Sequence, residues 1–301
     1  QLGWVIARGV KAVDDAAFTA KITAAMVEFK KEMEEAKNII CRRNGITMDQ
    51  LKECVKLFEP LAKEGKILVV VPGNHEFDFG MEQHSNLTEM LNSEVICANF
   101  TNLQTNVPVY KPYAMLKYGK VEIAFIGIGN PGTATSVSPK TFWDENGNTK
   151  YSFLPDDLFP TIQQHVNEVR RNGADYVVIL SHLGVDKEED YPSSPEFIAN
   201  TYGIDVVLDG HSHVTIQDSI LLDSKGKEVL LSSSGSYFLN IGILTLSTDG
   251  KFTAELVEAS SVQKDSSVLE VVSKVKENAM EAGRKVIGLS GITMTALDAN
   301  G

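Results

Sequence analysis

Gly73-Asn74-His75-Glu76, followed further along by Ser181-His182 and Gly210-His211-Ser212-His213, decides how this chain is read. Each group directly follows a short run of β-branched and apolar residues, at 67–71, 176–180 and 206–208. Such runs predict buried strands, so Asn or His stands at the carboxyl end of each, where open α/β sheets bind ligands. Four of the six histidines fall in these three places. A lone loop histidine usually does no more than hydrogen-bond its surroundings. Asn-His, Ser-His and His-x-His at three strand ends form instead a metal-site pattern. Two divalent ions ~3.5–4 Å apart can clamp the attacking and leaving oxygens of an in-line displacement and lower the pKa of a bound water. Neutral imidazoles suit Zn, Mn, Fe or Ni, and a strand-end Asn carbonyl can add a ligand. The pattern points to phosphoester hydrolysis.

The bulk properties narrow the field. A length of 301 residues with 43% apolar content supports a sizeable core, and large α/β folds often use that much chain as one unit. A net charge of −12 argues against a partner bound by charge alone, whether nucleic acid or lipid surface. The same charge repels phosphate, so phosphate binding would need concentrated positive charge such as metal ions. Cys41, Cys54 and Cys97 form no CxxC pair and leave the redox compartment open. No apolar run reaches the roughly 18–20 residues of a membrane span. No signal peptide is visible and the chain opens at Gln1, as a mature form or a fragment would.

Periodicity predicts a first short strand at 4–7 and helices at 14–37 and 48–59. Strands are expected at 67–71, 95–98, 121–128, 176–180 and 206–208, with helices at 156–171 and 195–201. The runs 228–233, 239–246 and 252–257 read as three antiparallel strands, the last two joined by Thr248-Asp249-Gly250. A helix at 266–286 and a linker at 288–301 complete the pattern. No internal repeat or low-complexity tract is visible. Strands alternating with helices, then a late antiparallel cluster, predict one layered α/β domain.

At this point the chain resembles the calcineurin-like metallophosphoesterases, specifically their 5′-nucleotidase family. The resemblance rests on Gly73-Asn74-His75-Glu76-Phe77-Asp78-Phe79-Gly80, on Leu180-Ser181-His182-Leu183-Gly184, and on Gly203-Ile204-Asp205 leading into Asp209-Gly210-His211-Ser212-His213. Cys97-Ala98-Asn99-Phe100 and the segments 142–148 and 233–237 share it, so it covers about three quarters of the chain. It implies a four-layer α-β-β-α sandwich spanning 1–287, with a divergent part at 1–65. Residues 288–301 would lead toward a carboxyl-terminal nucleotide-specificity domain that this chain lacks, so poor nucleoside selectivity is expected. By resemblance, Asn74, His182 and His211 bind one divalent ion, Zn, Mn or similar, and His213 helps bind a second. His75 faces the phosphate and protonates the leaving oxygen or stabilises the transition state. Asp78 orients His75. A metal-activated water would then release phosphate from nucleoside 5′-monophosphates without a covalent enzyme intermediate. Asp209 is either an acceptor behind the ligands or a structural strand-end aspartate. The implied location is extracytoplasmic.

The resemblance fails toward the amino terminus. The family carries an Asp-x-His after its first strand and a Gly-Asp after its second, and neither occurs before Gly73. The corresponding strand ends read Ala7-Arg8-Gly9-Val10 and Ile40-Cys41-Arg42-Arg43-Asn44-Gly45. The Gly-Asp carboxylate normally bridges both ions, and two close dications without it repel strongly. Asp14 and Asp15 read better as helix caps than as ligands, Asn44 offers only a weak carbonyl, and Arg8, Arg42 and Arg43 offer positive charge. One ion rather than two is therefore expected.

Two other classes compete with this reading. Gly127-Ile128-Gly129-Asn130-Pro131-Gly132 matches GxGxxG after a strand. Pro131 and the run 133–138 predict no amphipathic helix to hold a pyrophosphate, so the dinucleotide-binding reading fails on context. No GxxxxGK[ST] or GxSxG occurs. The stronger rival is a pseudoenzyme or fragment that binds one metal ion or a phosphorylated ligand without turnover. Asn86-Leu87-Thr88 and Asn99-Phe100-Thr101 are glycosylation sequons.

Overall fold

The computed structural model describes residues 5–7, 69–91, 93–186, 191–261 and 266–283. Its centre is a six-stranded sheet in the order Thr215–Leu222, Glu228–Ser234, Val206–Asp209, Tyr176–Ser181, Val121–Ile128 and Tyr113–Tyr118. The four inner strands run parallel, and the two edges pair antiparallel with their neighbours.

The sequence explains why the strand Tyr176–Ser181 lies in the middle. Its residues 177–181 are all buried, and alternate side chains serve opposite faces, as a period of two requires. Val177 and Ile179 join one core with Ala124, Ile126, Ile128 and Val207. Helix Leu158–Arg171 covers that face with Leu158, Ile162, Val166 and Val169, spaced by three and four residues. Each such side chain fully buried contributes about 1.5–3 kcal/mol. Val178 and Leu180 point the other way, into a core shared with Val69, Val71, Ile96 and Leu230 and flanked by Leu244, Leu246 and Phe252.

That second core is closed by another β layer. Strands Val5–Ala7, Val69–Val71 and Glu94–Val95 form a small sheet, and Asn240–Leu246 pairs antiparallel with Phe252–Glu258. Helix, sheet and second β layer follow in the order expected of the α-β-β-α sandwich. The helices expected at 14–37 and 48–59 lie outside the described residues. Helix Ser266–Gly283 closes the described chain, and no described helix is long and apolar enough to cross a membrane.

Three expectations change. Glu228–Ser234 is not part of an antiparallel trio. It lies parallel to Val206–Asp209 and antiparallel to Thr215–Leu222. Its run of five buried residues suits an inner strand, and its buried serines are satisfied because Ser232 and Ser233 donate to the carbonyls of Ile216 and Val214 at 3.1 and 2.8 Å. Thr215–Leu222 itself escaped notice because its apolar residues, Ile216, Ile220, Leu221 and Leu222, follow no regular alternation. Third, Val5–Ala7 runs antiparallel to Val69–Val71, with Ala7 opposite Val69 and Val5 opposite Val71. Ala7 therefore lies at the end of the pair away from Asn74, and residues 8–10 lie outside the described residues.

Gly127 and Gly129 are explained by packing. A Cβ at Gly127 would stand 2.3 Å from the Ile96 carbonyl oxygen, and one at Gly129 would stand 2.6 Å from the Phe153 ring. The GxGxxG spacing thus reflects close approach of neighbouring segments. A single helical turn, Thr133–Ser136, follows it.

Candidate active site

Strand register brings the histidine-bearing loops together. Ile128 pairs with Ser181, and Leu180 with Leu208, so these three strands end side by side. Asn74 arrives from the facing sheet, three residues beyond Val69–Val71. His182 continues the alignment, its amide donating to the Ile128 carbonyl at 2.9 Å. Its Nε2 lies 3.0 Å from Asn74 Oδ1, and both side chains are buried. The His182 and His211 rings are 5.2 Å apart, edge to face. Burial pushes the His182 imidazole down to about 3, with His211, His75 and His213 adding to the effect in that order. His211, His75 and His213 each lie within electrostatic reach of His182. His213 sits on the outer side, its ring 6.0 Å from that of Tyr237.

The turn carrying His211 and His213 is held in an unusual backbone. Their φ angles are +75° and +61°, and Tyr237 and Phe238 nearby both have φ of +54°. Non-glycine residues in this region are uncommon and cluster at functional sites, at a cost of about 1–3 kcal/mol each. Several contacts hold the turn in place. Asp209 Oδ1 accepts the Gly184 amide at 3.2 Å, and Ser212 Oγ accepts the Val185 amide at 3.1 Å. Gly184 has φ of +87°, and a Cβ there would stand 3.3 Å from both the His211 ring and Ser212. Asp209 is buried, which pushes its carboxyl up to about 6 against the pull of the Ser181 hydroxyl, the Gly184 and Gly210 amides and the Ser194 hydroxyl. The structure thus uses Asp209 to join two loops.

On the other side, Asn74-His75-Glu76-Phe77 turns immediately after its strand. His75–Phe77 forms one turn of 3-10 helix, with Phe77 fully buried and His75 exposed. The Glu76 carboxylate closes the turn by accepting the Gly73 amide at 2.8 Å. His75 Nδ1 and Asp78 Oδ2 are 2.9 Å apart, each side chain about two-fifths exposed (41% and 43%). An i,i+3 spacing on a helical turn produces this pair directly.

Among the described residues, Asn74, His182 and His211 offer donors for one divalent ion. His182 Nδ1 is buried with no hydrogen-bond partner. An ion shared with Asn74 would meet Nε2, the nitrogen that faces Asn74 Oδ1, on a neutral ring that carries its proton at Nδ1. The low proton affinity of His182 keeps it in that form. Among the described residues, however, no three His, Cys, Asp or Glu side chains group closely enough to hold an ion by themselves. Asn74 must therefore serve as a ligand if an ion binds here, and the described residues supply no carboxylate bridge for a second.

Asn130 is a site residue that the sequence reading did not single out. It is 2% exposed, donates to the Leu183 carbonyl at 3.2 Å and accepts the Gly132 amide at 2.6 Å, tying the end of Val121–Ile128 to the His182 loop. Its place two residues after the buried strand Val121–Ile128 was the available signal. Asp205, within a segment of the resemblance, lies away from the histidines at the start of its strand. It accepts from Lys227 Nζ and the Val177 amide at 2.8 Å each and pairs with Arg170, an anchoring role.

Comparison with known proteins settles the family. The calcineurin-like phosphoesterase profile matches residues 43–215, more than half of the chain. The chain belongs to the calcineurin-like phosphoesterase family. Among curated relatives of this phosphoesterase is a 2′,3′-cyclic-nucleotide 2′-phosphodiesterase/3′-nucleotidase of Salmonella typhimurium, 26% identical over 52% of this chain and 25% of the relative. A probable 5′-nucleotidase of Treponema pallidum is 26% identical over 50% of this chain and 23% of its own length. The aligned part thus spans about a quarter of these relatives. The fold matches that of a 5′-nucleotidase precursor from Thermus thermophilus, with TM-score 0.63 and 19% identity over 88% of this chain and 54% of that one. It also matches the NAD nucleotidase of Haemophilus influenzae, with TM-score 0.64 and 18% identity over 88% of this chain and 56% of that one.

Proposed function

We propose that this phosphoesterase hydrolyses nucleotide phosphomonoesters, nucleoside 5′-monophosphates foremost, outside the cytoplasm. The observation that carries the reading is the convergence of Asn74, His182 and His211 beside an exposed His75–Asp78 pair. Asn74, His182 and His211 would hold one divalent ion, and His213 lies on the side where a second would need support. A bound divalent ion supplies Lewis acidity toward a phosphoryl oxygen and lowers the pKa of water.

The chain's own residues account for the remaining roles. With Nδ1–H directed at Asp78, His75 presents Nε2 outward to the substrate. In its protonated form that nitrogen can hydrogen-bond a phosphoryl oxygen and give its proton to the leaving oxygen. Asp78 fixes the ring orientation. Asp209 and Ser212 keep the two ligand loops at fixed separation, and Asn130 ties the His182 loop to the end of Val121–Ile128. The acidic chain repels phosphate at long range, so binding depends on this local site.

A second reading has its own support. Because the described donors brought together are neutral, Asn74 with the His182 and His211 imidazoles, the site also suits a pseudoenzyme that binds one ion or a phosphorylated ligand without turnover. Phosphate release from nucleoside 5′-monophosphates, 3′-monophosphates and 2′,3′-cyclic phosphates, measured after loading with Mn or Zn, separates the two. Turnover abolished by His75→Ala supports the hydrolase. Ion binding lost in His211→Ala, with no turnover from any substrate, supports the binder.

A further inference from the structure

Beneath the His75 turn lies a histidine for which that mechanism has no use. His84 is 1% exposed and sits one turn into helix Met81–Met90, which begins directly after the Phe79-Gly80 bend. Its ring stacks on Phe77 with centroids 4.1 Å apart and planes 30° from parallel. Its Nε2 lies 2.5 Å from the Tyr110 hydroxyl, which comes from a separate segment of chain. Phe77 belongs to the same three-residue helical turn as His75. On its remaining sides Phe77 packs against Phe142, Phe100 and Phe153, with centroids 5.3, 5.4 and 5.7 Å away. Those three rings set where Phe77 can go, and His84 is the one polar ring among its described aromatic contacts.

We propose that His84 and Tyr110 are a positioning pair for His75: the hydroxyl–imidazole bond holds the His84 ring against Phe77, which fixes the pitch of the His75–Phe77 turn. The inference rests on the role given to His75 under the proposed function. A buried histidine is a poor choice for simple filling, because Phe or Leu would pack without a polar edge to satisfy. What imidazole adds is direction. A ring bonded at Nε2 to a fixed hydroxyl cannot slide or tilt as an apolar ring can, and Phe77 inherits that restraint through the stack. Burial keeps both partners in the state this bond needs. It pushes His84 down to about 4, so the ring is neutral, and it pushes Tyr110 up to about 12, so the hydroxyl keeps its proton. The Glu76–Gly73 bond fixes the front of the turn, and His84 fixes its underside.

The test uses Tyr110→Phe, which removes one hydroxyl, and His84→Phe, which keeps a ring and removes the polar bond. Amide hydrogen exchange is followed in peptides covering 73–80 and, as an internal control, 176–181. The proposal expects exchange across 73–80 to quicken about 5–10-fold in both variants, the effect of losing one buried hydrogen bond, with 176–181 unchanged. In parallel, kcat for a nucleoside 5′-monophosphate should fall by a similar factor with KM held. Unchanged exchange across 73–80 overturns the proposal, and so does acceleration shared equally by 176–181, which would mean loss of global stability alone. A wild-type chain without turnover sinks the hydrolase reading and leaves the exchange comparison to decide this one.

Discussion

Asn74 Oδ1 lies 3.0 Å from His182 Nε2, although 108 residues of chain separate the two. Each belongs to a different sheet, and the contact exists because the two sheets share one apolar core. If this contact is half of an ion site, the two residues fail together. His182→Ala and Asn74→Ala should each weaken divalent-ion affinity by about 100-fold or more, since losing a group that merely orients a ligand already costs roughly 10–100-fold. Elemental analysis of Mn-loaded, desalted protein checks this; a full complement of ion in both variants would place the metal elsewhere.

His75 and Asp78 should behave as an acid–base group and its support. His75→Ala should lower kcat by about 10²–10⁴, the usual contribution of a positioned proton donor. Asp78→Asn should lower it by roughly 10–100-fold, since a neutral amide replaces the carboxylate that accepts from Nδ1 and orients the ring. Neither should change ion content. Steady-state kinetics beside metal analysis gives the answer, and equal kcat in wild type and His75→Ala would remove His75 from the chemistry.

His84 should make stability depend on acidity. Its folded value, about 4, lies below the ordinary 6.5 because burial disfavours the charged ring. Above pH 6.5 the folded and unfolded chains both leave it neutral. As pH falls from 6.5 toward 4 the unfolded chain takes a proton that the folded chain refuses, so stability is lost across that window. Between pH 7 and pH 5 the loss attributable to this group is about 2 kcal/mol. Urea unfolding at both pH values measures it, and His84→Phe should show a pH slope smaller by that amount.

Gly127→Ala should be poorly tolerated. The added carbon would meet the Ile96 backbone oxygen at 2.3 Å, and neither strand can retreat without loosening the core on either face. Destabilisation of about 1–3 kcal/mol or more is expected. By contrast Gly147→Ala, where nothing lies within 4 Å but φ is +82°, should cost only the backbone strain, roughly 1–2 kcal/mol. Chemical denaturation of the two variants side by side orders them.

Of the two sequons, only Asn86 is accessible. Asn99 is fully buried, and its side chain bonds Gly129 through both amide and carbonyl and the Phe153 carbonyl as well. A glycan at Asn99 would displace those bonds. Expression through a glycosylating secretory host should therefore yield no folded product modified at Asn99, which peptide mass mapping would detect.

Period and position made much of this protein legible from its residues. Strands buried on both faces read as short β-branched runs, and the inner strands at 121–128, 176–181 and 206–209 carry that signal at full strength. Asn or His directly after such a run marks a ligand-facing end, and i,i+3 spacing on one turn pairs His75 with Asp78. These are local consequences of backbone geometry, so a sequence can show them. What required the tertiary structure was whatever depends on which segments meet. Alternation could not say that Glu228–Ser234 lies parallel to Val206–Asp209, since an inner strand looks the same whichever neighbour it has. It could not orient Val5–Ala7, because three residues pair equally well in either direction. Nor could it show that His84, an unremarked polar residue on a weakly amphipathic helix, would be buried against Phe77 and Tyr110. Burial is decided by the packing of the whole chain, and only packing turns a surface-looking histidine into a buried one.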